Sequence, residues 1–136
     1  MYFLYKELQR SAGAKLCCVC HFFDEKTENI VACSSDTMTV YEIVKVHTGD
    51  QNGRPPYRLK IVGQYSFCGE ILSIATIPLN KVDPESTLSN RDVIIMSFVG
   101  NYVSFLVYDN EEGDLCNIQC FDYNKECAIA LNRCFS

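Results

Sequence analysis

The chain has 136 residues, of which 48% are hydrophobic and 21% charged, with a formal net charge of −5. These are globular values, and no stretch approaches the roughly 18 apolar residues of a membrane span, so no membrane association is expected. The acidic balance argues against a basic groove that neutralises phosphates, which makes any RNA contact weak or indirect.

Met1 to Arg10 lacks both the basic start and the apolar core of a signal peptide, so an intracellular location is expected. Residues 1–15 read as an N-terminal strand and lead-in. From there the chain runs twice through the same four-strand phrase. The first pass is Leu16 to Phe23, Ile30 to Ser34, Met38 to Val44 and Arg58 to Phe67. The second is Ile71 to Ile77, Val93 to Phe98, Tyr102 to Tyr108 and Leu115 to Tyr123.

The strand assignment rests on residue type and period. Thr39, Val40, Tyr41, Ile43 and Val44 in one run, and Val103, Phe105, Leu106, Val107 and Tyr108 in its counterpart, are β-branched or large. Alternation puts Val103, Phe105 and Val107 on one face and Leu106 and Tyr108 on the other. Apolar residues on both faces imply cover from both sides, as in stacked propeller blades or a buried parallel sheet. The links Ser35 to Thr37 and Val99 to Asn101 are too short for a parallel crossover and fit antiparallel hairpins. The loops Lys45 to Pro56 and Asn80 to Arg91 are polar and rich in turn formers.

The expected fold is therefore all-β, with antiparallel four-stranded blades of a WD40-like β-propeller. A blade spans roughly 40 to 60 residues with its loops. The first would occupy residues 16–67 and the second 68–123, followed by a divergent tail at 124–136. A closed ring needs about 4 to 8 blades, so two make an incomplete one. Open strand edges then predict poor solubility and incomplete folding in isolation.

Nine cysteines invite a chemical reading. Cys17 and Cys20 have CxxC spacing beside His21, and Cys116 and Cys120 could complete a four-ligand zinc set. Both groups lie in predicted strands, however, where Cys17 and Cys20 face opposite ways and no turn converges them. Packing as small apolar groups is the expectation for these thiols, with no metal and no cofactor. A small zinc- or thiol-dependent protein built on Cys17, Cys20, Cys116 and Cys120 is the competing reading. An odd count, with Cys18, Cys33, Cys68, Cys127 and Cys134 making up the nine, disfavours disulfides in a chain without a secretory signal.

No catalytic site is expected. Nothing pairs a cysteine nucleophile with His21 or His47: His47 lies in a polar loop, and His21 follows a strand as a core or rim histidine. GxSxG, HExxH, Walker and GxGxxG motifs are all missing. The acidic stretches Asp24 to Glu28 and Asp109 to Asp114 lack the EF-hand ligand pattern and read as solvated turns. Eight Tyr and eight Phe sit mostly among aliphatics, which favours core or blade-to-blade packing over base stacking.

Several segments carry a family resemblance: MYFLYKE at the start, His21 to Phe23, IVACSSDTMTVYEI, QYSFCGEILSIATIPL, and RDVIIMSFVGNYVSFLVYDNEEGDL. In this order they resemble the N-terminal propeller region of one family. It contains the large subunit of the cleavage and polyadenylation specificity factor, the damaged-DNA-binding large subunit and the splicing factor 3b propeller subunit. Leu8-Gln9-Arg10 is also similar to the splicing member, whereas YSFCG points to the polyadenylation factor. The resemblance covers about residues 1–123 and implies a nuclear, non-catalytic scaffold of pre-mRNA 3′-end processing. Its implied partners are the other subunits of the cleavage and polyadenylation complex. It implies no catalytic, cofactor or metal residues and no small-molecule substrate. A scaffold of the spliceosome or of damaged-DNA recognition is the alternative within the family.

Overall fold

The computed structural model describes residues 13–46, 56–82 and 91–124. Met1 to Arg10, His47, most of the 45–56 loop, Cys127, Cys134 and the tail beyond Asn124 lie outside the described residues.

Among the described residues, eight strands form two antiparallel four-stranded sheets, each a simple meander. Sheet A contains β1 (Leu16–Cys20), β2 (Asn29–Cys33), β3 (Thr37–Lys45) and β4 (Tyr57–Ser66). Sheet B contains β5 (Ile71–Pro78), β6 (Asp92–Phe98), β7 (Tyr102–Asp109) and β8 (Asp114–Asp122). The twofold phrase of the sequence is thus two like sheets, and their propeller-like pairing is not closed into a ring.

Two boundaries differ from expectation. The first strand stops at Cys20 rather than Phe23, because His21 leaves β2 and bonds to Asp92 of the other sheet. A short helix, α1 (Leu79–Val82), opens what reads as loop, and Leu79 is buried in it. Leu79 covers Val93 and Val107, so this end of the outer face of sheet B is apolar and protected.

The two sheets pack face to face. Cys20, Phe22, Val31, Cys33, Met38 and Val40 from sheet A meet Ile71, Ile94, Met96 and Leu106 from sheet B, and all ten are buried. Parity along β7 follows the sequence reading: Leu106 and Tyr108 join this main core, whereas Phe105 and Val107 join the smaller cluster under α1. Apolar area removed from water stabilises by roughly 25 cal/mol per Å², so burial along this seam stabilises both sheets. Aromatic rings reinforce it, since Phe22 stacks against Tyr108 at 5.6 Å and Phe67 against Phe98 at 5.6 Å.

Among the described residues, bulges break the regular alternation at Val62, Leu72 and Ile118, the extra residues opposite Val40/Tyr41, Phe98/Ser97 and Phe105/Leu106. Each bulge reverses side-chain parity beyond it, which re-aims everything downstream on that strand.

Candidate functional site

The chemistry-bearing residues gather at the seam between the sheets and along its edges. Where β1 ends, the His21 N–H donates to Asp92 Oδ2 at 2.8 Å, and His21 Nδ1 lies 3.2 Å from the same oxygen. The Asp92 N–H returns a bond to the His21 carbonyl at 3.0 Å. Arg91, only 4% exposed, donates from Nη1 to the Tyr108 carbonyl at 2.7 Å. His21 is therefore a rim residue that joins the sheets. Sequence reasoning missed Arg91 and Asp92; the available signal was a charged pair directly before an apolar strand, an arrangement that needs a polar partner.

The cysteines are distributed by strand parity. Cys18, Cys20 and Cys33 face the seam, and Cys17 faces outward. A hydrogen bond between the Cys18 and Cys20 thiols holds the Cys18 thiol below its ordinary value and raises that of Cys20, which burial raises further. Burial, with the neighbouring Cys18, pushes Cys33 up to about 11. The proposed zinc quartet is not brought to one place. Cys116 pairs across the ladder with Val107 and Cys120 with Ser104, residues on opposite faces of β7, because the bulge at Ile118 lies between the two thiols. Among the described residues no three His, Cys, Asp or Glu side chains converge as metal ligands.

In both acidic stretches an aspartate accepts hydrogen bonds from the backbone of its own turn. Asp24 Oδ1 accepts from the N–H groups of Thr27 at 2.6 Å and Lys26 at 2.8 Å, and these bonds hold its carboxyl below the usual range. Asp109 Oδ1 accepts from the Glu111 N–H at 2.9 Å, and Gly113, with φ of 68°, lets the chain reverse into β8.

Several open surfaces lie among the described residues. A shallow cleft of about 700 Å³ includes His21, Glu25, Lys26 and Asp92 in its lining. A cleft of about 460 Å³ separates the Gln64–Phe67 end of the fourth strand from Leu106, Leu115 and Asn117. A third, of about 310 Å³, adjoins it at Phe67, Phe98 and Ser104 and ends at Val99 and Tyr102. Finally, the outer face of sheet A carries a row in register across all four strands, Val19, Ile30, Tyr41 and Ile61. Ile43 and Leu59 extend it, and four of these six side chains are more than half exposed: Val19, Ile43, Leu59 and Ile61.

No helix among the described residues is long and apolar enough to cross a membrane. No family model matches the chain. The chain is similar to a Drosophila melanogaster protein named cleavage and polyadenylation specificity factor subunit 1, at 22% identity over 118 residues. That likeness covers 80% of this chain and 8% of the length of the fly protein.

Proposed function

We propose that the chain is a non-catalytic scaffold module of mRNA 3′-end processing, acting in the nucleus by holding other subunits of a cleavage and polyadenylation complex. The observation that carries this reading is the combination of likeness and architecture. The similarity to the fly factor runs through most of the chain, and it falls on two stacked four-stranded sheets whose polar groups serve folding and joining. Large exposed apolar positions on the outer face of sheet A suit a module that works against other proteins. RNA is contacted indirectly or weakly in this reading, since the net charge is −5.

Affinity capture of the tagged chain from nuclear extract tests the proposal. Co-purification of polyadenylation-factor subunits above an untagged control is the expected result. Recovery of spliceosomal or damage-recognition subunits instead would move the chain to a sister scaffold. Metal analysis tests the remaining competitor: about one zinc per chain, lost when Cys17 and Cys20 become serine, would replace the scaffold reading with a metal-centre one.

A further inference from the structure

The two clefts beside the fourth strand share Phe67, Phe98 and Ser104, so together they form one continuous groove. Its wall on the sheet B side is a column of alternate positions on β8. Leu115, Asn117 and Cys120 pair with Tyr108, Leu106 and Ser104, all on the seam-facing side of β7. Without the bulge at Ile118, Cys120 would fall on the other face and Gln119 would take its place in the column. The groove is open to solvent and runs beside β4, which pairs only with β3 among the described residues.

From this geometry we propose that the groove binds an extended peptide segment of a partner protein, which adds a strand to the free edge of β4 and carries an aromatic and a basic residue four positions apart. Strand addition uses main-chain bonds for affinity and alternate side-chain pockets for specificity. The Asp114-to-Cys120 wall has room for about five extended residues at ~3.3 Å each. At one end the Phe67 and Phe98 rings, with the small Ser104 beside them, make an apolar seat. At the other end lies Asp114, whose Oδ1 accepts from the Leu115 N–H at 2.7 Å and which faces no cation among the described residues. Asp109, Glu111 and Glu112 stand in the adjacent turn, and among the described residues no Lys or Arg lines the groove. A partner side chain at that end must therefore be basic. Cys120 pairs with Ser104 and Asp114 with Asp109, five positions apart on β7; side chains on one face of an extended partner recur every two residues, so a spacing of four fits between these ends. The proposal stands on the groove alone and holds whichever complex the chain serves.

The test uses the full 136-residue chain and a fluorescein-labelled peptide, Ser-Phe-Thr-Val-Thr-Lys-Gly, read by fluorescence polarisation. Asn117→Trp fills the groove from an exposed position and is expected to weaken binding by about tenfold or more. Asp114→Asn weakens binding roughly threefold to tenfold, and a peptide with Glu in place of Lys loses at least as much but regains affinity in Asp114→Asn. Hydrogen exchange should slow at residues 62–67 when peptide is bound. Unchanged affinity in Asn117→Trp, equal binding of the Glu peptide, or preferential occupation of the groove by a mixed-sequence RNA dodecamer or by a second copy of the chain would overturn the proposal.

Discussion

His21 and Asp92, 71 positions apart, are joined by reciprocal hydrogen bonds: the Asp92 side-chain Oδ2 takes the His21 N–H at 2.8 Å, and the His21 carbonyl takes the Asp92 N–H at 3.0 Å. The bond from Ile71 N–H to the Ser35 carbonyl, 2.7 Å long, is a second tie between the sheets. These contacts fix how one sheet sits on the other, and the apolar seam supplies the driving force.

Asp92→Ala removes the acceptor and leaves the half-buried His21 N–H without its partner. An orphaned donor of this kind costs about 1–3 kcal/mol. The urea midpoint should fall accordingly, and Asp92→Asn, which keeps a carbonyl oxygen in place, should recover part of the loss. Equal midpoints for wild type and Asp92→Ala would show that the contact contributes nothing to the seam.

Thiol chemistry should follow the face on which each cysteine sits. Cys17, Cys68, Cys116 and Cys120 are exposed, whereas Cys20 and Cys33 are buried. Peptide mapping after brief alkylation at neutral pH should find the first four labelled, with Cys20 and Cys33 labelled only in denaturant. Cys33 also sets an alkaline limit. Its thiol is raised from the ordinary 9.0 to about 11 in the folded state, so the folded protein holds a proton that the unfolded chain releases above pH 9. Stability from this group is intact below pH 9 and declines between pH 9 and 11, by on the order of 2 kcal/mol in full. Cys33→Ala should flatten that part of the stability curve while lowering stability at neutral pH.

The β6–β7 hairpin needs its glycine. Gly100 has φ of 100° and the following Asn101 has φ of 64°, and a Cβ at residue 100 would stand 3.1 Å from the Tyr102 ring. Gly100→Ala should cost roughly 1–2 kcal/mol, measured by chemical denaturation. Asn101→Gly should cost less at the backbone, but it removes the 2.9 Å bond to Asn124 that anchors the end of β8. Hydrogen exchange at residues 121–124 should speed up in that variant.

Exposed apolar rows on sheet A should drive self-association. Ile61 is 59% and Leu59 54% exposed, and they lie in register with Tyr41 and Ile43. The double variant Leu59→Lys/Ile61→Lys should shift the chain towards monomer in sedimentation velocity without lowering its denaturation midpoint by more than about 0.5 kcal/mol equivalent. Persistent aggregates of unchanged size would place the sticky surface elsewhere, on the open edges of β4 and β8.

The strands, their order and the hairpins were legible in the residues alone. β-branched and aromatic runs such as Thr39 to Val44 can bury both faces only in a pleated ladder, and a three-residue link such as Val99 to Asn101 permits only an antiparallel return. The facing of Cys17 and Cys20 followed from the two-residue period of a strand. The long-range packing sets what happens where that period is interrupted or where distant segments meet. Bulges at Val62, Leu72 and Ile118 leave no mark in composition, yet the last of them sends Cys116 and Cys120 to opposite faces and completes the wall of the groove. Strand β1 ends early because a carboxylate 71 positions away competes for the His21 N–H. A local pattern specifies which way a side chain points from its own strand; which partner it meets depends on the stacking of two sheets, a long-range balance of burial and hydrogen bonding that no short window of residues contains.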